Sequence, residues 1–186
     1  MRFWDKDKLG NKLGKNLKIG ILGGTFDPAH EGHLYISKIA VKKLKLSKLL
    51  WVITKKNPLK KRPHLKIKTR IKLAKKIAKK EKKIFIRYLD NKIKSHNTFD
   101  LLNYLKKKQK KVKIFFLIGA DNLVKFHKWK NWKKIPQLAK IAVFPRGKYL
   151  IPKHKYIVTK SLKKKDLIYM NSKKVNISSS LIRKFW

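Results

Sequence analysis

A chain of 186 residues with 42% hydrophobic content carries enough apolar side chains for one ordinary globular core, so disorder is not its default state. It has no cysteine, which excludes disulfides, thiolate metal sites and cysteine nucleophiles together and fits a reducing cytoplasm. Its 53 Lys and Arg against 9 Asp and Glu give a formal net charge of +44, while no apolar run reaches the roughly 18–20 residues that span a bilayer.

Residues 1–16 (MRFWDKDKLGNKLGKN) lack the apolar centre of a signal peptide and read as a basic N-terminal extension, leaving residues 17–186 as one domain. Leu17–Gly23 (LKIGILG) is a short apolar run bounded by glycine, the pattern of a buried strand. From Gly32 to about Leu46, the apolar residues Leu34, Ile36, Ile39, Ala40, Val41 and Leu44 form a broad helical stripe. LLWVIT (Leu49–Thr54) is the next strand, followed by a proline-broken basic loop and a helix marked by Ile67, Ile71, Ala74 and Ala78.

The alternation continues with KIFIRYL as strand, TFDLLNYLKKK as helix, VKIFFLIG as strand and a short helix from Ala120. AKIAVFP, KYIVT and DLIYM read as three further strands, and the serine run of NISSSLIRKFW opens a last short helix. Strands alternating with helices predict a single-domain, Rossmann-like α/β fold: a parallel sheet with helices on both faces. Ligands of such sheets bind at the carboxyl ends of the strands, near the point where strand order reverses.

The lysines are spread over almost every predicted element. A nucleic-acid-binding protein concentrates its charge on a patch or tail interleaved with exposed aromatics, so the spread favours a solvated basic surface over a specific nucleic-acid site. Either surface draws in small phosphorylated molecules electrostatically.

Chemistry concentrates in Gly20–Lys38, GILGGTFDPAHEGHLYISK, which leaves the first strand and enters the first helix. Backbone N–H groups and the positive helix end face an anion at such a junction, and Gly23 and Gly24 permit backbone angles and an approach that side chains forbid. No Gly-Lys-Ser/Thr follows, so this is not a P-loop, and it lacks the third glycine of the dinucleotide fingerprint. His30 and His33 stand three residues apart and share a face of a helix that begins near Ala29. Two such histidines can bind a metal, shuttle protons or donate hydrogen bonds to phosphate. A metal wants a third ligand, and the neighbouring acids Asp27 and Glu31 complete no zinc pattern, so phosphate contact is the favoured reading.

GGTFDPAHEGH resembles the first signature of the nucleotidyltransferase superfamily, and ISSSLIR (Ile177–Arg183), at the other end of the chain, resembles its second. Within it, His30 and the stretch FLIGADNLVKFHKWKNW (Phe116–Trp132) are similar to the bacterial nicotinate-nucleotide adenylyltransferases. The resemblance implies that the 5′-phosphate of nicotinate mononucleotide attacks the α-phosphorus of ATP, giving deamido-NAD and Mg-pyrophosphate in NAD biosynthesis. Mg2+ accompanies ATP, and no protein side chain is expected to ligate it. This chemistry needs in-line positioning and charge neutralisation, not a covalent nucleophile.

The same resemblance implies roles for individual residues. His30, His33 and Arg183 act at the phosphates; Gly23, Gly24, Thr25 and Phe26 line the nucleotide site; Ser178 and Ser179 bind phosphate at the start of the last helix. Asp121 meets the ribose or shapes the adenosine pocket, or else caps its helix. Arg146 lies near adenine. Trp129 stacks on the nicotinate ring, or else belongs to the core with Trp132; Thr98 presents backbone to the nicotinate carboxylate and also serves as a helix N-cap. Asp27 orders the loop by capping local N–H groups.

Three stretches depart from the family pattern. NPLKKRPH offers Lys60 and Lys61 where the family often has Pro-His-Lys/Arg, which makes Lys60 a candidate phosphate ligand. FPRGKY lacks the middle proline of Arg-Pro-Gly. Three residues follow Arg183, so the last helix is expected to be short and the γ-phosphate end of the site open. Two other functions compete: a sister adenylyltransferase acting on phosphopantetheine or another small acceptor, and a basic nucleic-acid-binding protein. His30, Asp121 and the Lys-Trp pair favour the nicotinate enzyme, with no specific nucleic acid or membrane as partner.

Overall fold

The computed structural model describes residues 17–59, 61–146, 157–173 and 177–185; the N-terminal extension, Lys60 and residues 147–149 lie outside that description. Six strands form one sheet: β1 (Lys18–Gly24), β2 (Lys48–Ile53), β3 (Ile84–Tyr88), β4 (Lys113–Gly119), β5 (Lys140–Phe144) and β6 (Leu167–Tyr169). Their order is β3-β2-β1-β4-β5-β6 and every neighbouring pair is parallel. The chain winds outward from β1 to β3, then crosses back to place β4 on the other side of β1. The switch in strand order therefore falls between β1 and β4.

Side-chain alternation splits the core in two. Ile114, Phe116 and Ile118 of β4 face one layer with Ile19 and Ile21, which is covered by Leu101, Leu102 and Leu105 of the helix α4 (Thr98–Lys108). Phe115 and Leu117 face the other, with Leu49, Trp51 and Ile53, covered by Ala40 of α1 (Glu31–Lys43) and Ala74 of α2 (Ile67–Ile77). Gly20 packs closely on this side: a Cβ there meets Leu46 Cδ1 at 2.6 Å, so the leucine would have to shift. Four short helices complete the order, α3 (Asp90–Ile93), α5 (Ala120–Val124), α6 (Ile135–Leu138) and α7 (Ile157–Ser161), followed by a fifth, α8 (Ser179–Ile182). No described helix is long and apolar enough to cross a membrane.

One element differs in kind from its expectation. KYIVT reads as a strand on its β-branched residues, yet Ile157–Ser161 is helical. Val158 is fully buried and Ile157 is exposed; Val158 O accepts from Leu162 N at 2.9 Å, so a single apolar anchor and a helical turn satisfy this segment. The place beside β5 goes to β6. Tertiary burial outweighs a local propensity here.

Candidate active site

The loop after β1 turns on Phe26, whose φ of 48° is in the left-handed region that bulky residues rarely enter. Its ring stacks on Trp51 at 5.2 Å and lies 4.7 Å from His33. Trp51 Nε1 donates to Ser37 Oγ (2.8 Å), and Ser37 Oγ donates to His33 O (2.7 Å). The sheet thus fixes the first turn of α1.

That turn begins later than the sequence predicts: α1 starts at Glu31, and His30 is its N-cap. Gly32 N donates to His30 Nδ1 (3.1 Å), and His30 N donates to His33 Nδ1 (3.2 Å). The spacing of three is that of a capping box, with imidazoles in place of the usual Ser and Glu. A ring nitrogen that accepts carries no hydrogen, so in the neutral ring the proton sits on Nε2. Burial, with the charge of Arg146 adding to it, lowers the His30 pKa from 6.5 to about 4, so this ring is neutral near pH 7. Its Nε2 is buried with no hydrogen-bond partner among the described residues. A buried donor in this state calls for a partner from outside the described residues, water or a ligand.

Two cavities open at the carboxyl ends of the strands, one at β1 and β4 and the other at β1 and β2. One, of about 910 Å3, is lined by Gly23, Gly24, Thr25, Phe26, His30, His33, Arg146 and Ser179. The other, of about 750 Å3, is lined by Thr98, Asp90, His96, Lys128 and Lys130. Gly23, Gly24, Asn57 and Trp129 border both, so the end of β1 is a shared wall. Neither of these glycines has a left-handed φ, and a Cβ on either meets only ordinary contacts, at 3.7 Å and 3.6 Å. Backbone angles do not require them; the cavities they border do, because a side chain would fill that space.

Asp121 flanks the larger cavity, whose wall contains its neighbour Asn122 instead. Its Oδ1 is buried without a partner among the described residues, and its Oδ2 lies 4.0 Å from Arg146 Nη1. A Cβ on Gly119 would clash with Asp121 Oδ1 and reach Arg146 Cδ at 3.0 Å, so only glycine lets these two side chains converge. Trp129 is half-buried: it packs edge-on against Phe116 of the core and also borders both cavities. Thr98 is the first residue of α4, and the N-cap position belongs to Asn97, whose N–H donates to Ser95 Oγ (3.1 Å).

The two end signatures meet. Ser179 Oγ donates to Pro28 O (2.8 Å), Arg183 Nη1 donates to Asp27 O, and the Arg183 guanidinium lies 3.5 Å from the Asp27 carboxylate. Ser178 caps α8 by accepting from Leu181 N, and neither Ser178 nor Arg183 lines the cavities. Asp27 orders the loop by a longer reach than local capping, because its two oxygens accept from His64 N (2.8 Å) and Leu65 N (2.9 Å). Lys61 is exposed.

Sequence reasoning misses two buried residues that hold the site together. Arg70, 2% exposed, donates to four carbonyls: Leu65 O (3.0 Å), Thr25 O (2.6 Å), Thr54 O (2.7 Å) and Lys55 O (3.2 Å). It ties the loop after β1 to the loop after β2. Burial lowers its pKa, and the charges of Asp27 and Asp90 oppose that shift. Asp90, 5% exposed, accepts through Oδ2 from Thr54 Oγ1 (2.8 Å) and Lys55 N (2.7 Å), and faces His96 Nδ1 (3.0 Å). The available signals were a lone arginine on the apolar stripe of a lysine-rich helix and the scarcity of acids in the chain.

The cytidylyltransferase-like family matches residues 21–185. A probable nicotinate-nucleotide adenylyltransferase of Pelagibacter ubique (strain HTCC1062) is 49% identical over 170 residues, covering 91% of this chain and 94% of that one. This chain belongs to the nicotinate-nucleotide adenylyltransferase family. A second nicotinate-nucleotide adenylyltransferase, described as probable, from Ruegeria sp. (strain TM1040), is 38% identical over 70% of this chain and 68% of its own length. The fold of the Plasmodium falciparum nicotinic acid mononucleotide adenylyltransferase complexed with NaAD superposes with a TM-score of 0.75 at 23% identity, over 91% of this chain and 83% of that one. The sheet of this nicotinate-nucleotide adenylyltransferase family member is thus the α/β nucleotidyltransferase sheet, with the larger cavity at its switch point and the smaller beside it.

Proposed function

We propose that this chain transfers the adenylyl group of ATP to nicotinate mononucleotide, releasing deamido-NAD and pyrophosphate. The observation that carries the reading is the buried, unpartnered Nε2–H of neutral His30 in the wall of one of two cavities that share the end of β1. ATP occupies the larger cavity, with its adenosine toward Asp121 and Arg146. Nicotinate mononucleotide occupies the smaller, its ring on Trp129 and its carboxylate near the Thr98 backbone.

An oxygen of the mononucleotide phosphate forms the new bond to the α-phosphorus as the bond to the bridging oxygen of pyrophosphate breaks. The leaving pyrophosphate takes the electron pair. The nucleophile is already ionised, so no base is needed. His30 and His33 donate through Nε2 to phosphate oxygens that gain charge, a contribution largest in a water-poor site. Arg183 reaches the triphosphate by exchanging the Asp27 carboxylate for phosphate oxygens, which its fork geometry suits. Mg2+ carried with ATP would supply charge neutralisation for the leaving pyrophosphate, beside the donors of His30, His33 and Arg183.

Incubation with MgATP and a panel of phosphorylated acceptors tests this reading. Pyrophosphate release with nicotinate mononucleotide supports it; release with phosphopantetheine alone, or with neither, overturns it.

A further inference from the structure

We propose that the outer face of α2 is a docking surface for the phosphate backbone of double-helical nucleic acid, bound without regard to sequence. Lys68, Lys72, Lys75, Lys76 and Lys79 are all exposed, on α2 and the turn that ends it. At about 100° per residue they fall within roughly 100° of arc, so they form one ridge. The opposite face is committed to the core: Ala74 and Ala78 are buried there, with Ile67, Ile71 and Ile77 packed beside them. None of these lysines lines either cavity, so the ridge is separate from the candidate active site.

Lysines are spread over the molecule, but on this face nothing offsets them. Elsewhere Lys130 is paired with Asp100 at 3.1 Å, and Lys140 lies 3.7 Å from Asp166. From Lys38 to Lys80 the chain contains no acid, and Glu81, which follows, is paired with Lys38 of α1 at 3.0 Å. The ridge lysines make no ion pair among the described residues. α2 also lacks both an acid in its first turn and a side-chain cap, while Lys68 stands at the positive end of the helix. Like charges at i, i+4 and cations at an N-terminus both work against a helix. A row of phosphates along the ridge relieves both, and their condensed counterions are released on contact.

The kind of polyanion follows from what accompanies the charge. Residues 66–83 contain no aromatic side chain, which removes the usual stacking platform for the bases of a single strand. The apolar face of α2 is packed on the sheet, so it does not enter a lipid surface as an amphipathic helix does. Lysines are point charges on flexible stems, suited to phosphates and not to a fixed pattern of base edges. A duplex carries one charge per about 1.7 Å of its axis, the density that a convex row of cations complements.

The test is fluorescence anisotropy of the full chain with two labelled duplexes of unrelated sequence, titrated over a range of salt. Both duplexes are expected to bind equally. Replacing Lys68, Lys72, Lys75 and Lys79 together by Gln should weaken binding at least about tenfold at physiological salt and make the log–log salt slope shallower by about 3. The control replaces Lys107, Lys108, Lys110 and Lys111, exposed at and beyond the end of α4. It should weaken binding by less than about threefold; thermal melting reports that both variants are folded. Equal losses from the two sets overturn the proposal, because the charge then acts diffusely. No binding at physiological salt, a preference between the two sequences, or tighter binding to a single strand, to anionic vesicles or to polyglutamate each overturn it as well.

Discussion

His30 and His33 cap one helix reciprocally: the Gly32 N–H enters His30 Nδ1, and the His30 N–H enters His33 Nδ1, with the rings 3.8 Å apart. The first-turn amides of a helix need partners from outside the helix. Using imidazoles as those partners fixes both tautomers at once and leaves the buried Nε2–H of His30 without a partner among the described residues. A serine or threonine at position 30 caps as well, but its hydroxyl ends at the cap, whereas the imidazole carries its donor to the far edge of the ring. The spacing of three is thus a consequence of capping geometry, and the proposed phosphate donors come with it.

Substituting His30 by Asn keeps a capping acceptor and removes the Nε2–H. The turnover number is expected to fall by ~10²–10³, the usual cost of one transition-state donor. Stability should change by no more than about 1 kcal/mol. Pyrophosphate release and thermal melting, measured on the same preparation, separate these effects. His33→Ala loses donor and cap together and should also lower the melting temperature. The double variant should show less than the sum of the two losses, because the rings act as a unit.

The depressed pKa of His30 makes stability depend on pH in a defined direction. The folded chain takes up this proton near pH 4, and the unfolded chain near 6.5. Between those values the unfolded state binds more protons, so stability rises with pH. The contribution is complete above pH 6.5 and is lost as pH falls toward 4. Denaturant midpoints of wild type and His30→Asn across this window should diverge: the variant gives the shallower slope. Parallel slopes would contradict a neutral, buried His30.

Arg70 is expected to be intolerant of replacement. Arg70→Gln leaves several carbonyls of the two loops without donors, at a cost of roughly 3 kcal/mol or more. Arg70→Lys keeps charge but satisfies fewer of the four, and should fall between. Because Thr25 and Thr54 belong to different cavities, KM should rise for ATP and for the acceptor in the surviving Arg70→Lys enzyme. Urea unfolding and two-substrate kinetics check both points.

How much of this was legible in the sequence follows from how local each feature is. TFDLLNYLKKK coincides with α4, and the alternating elements imply the parallel sheet, because periodicity reports burial along one segment. The junction carrying His30 and His33 was legible for the same reason. KYIVT was not, since a buried Val158 and an occupied sheet edge lie outside the segment itself. Arg70, Asp90 and the contact of Asp27 with His64 and Leu65 depend on partners 15 to 45 residues away, which no local pattern records. The two glycines after Leu22 border both cavities, but their backbone angles are ordinary, so the angular freedom read into them is not used.

The central claim is that the adenylyl group passes in one step from ATP to the phosphate of the acceptor. ATP made chiral at the α-phosphorus by sulfur substitution, reacted with nicotinate mononucleotide, tests this most directly. A single in-line displacement predicts inversion at phosphorus in the dinucleotide product; retention would mean a covalent adenylyl-enzyme intermediate and would contradict the account.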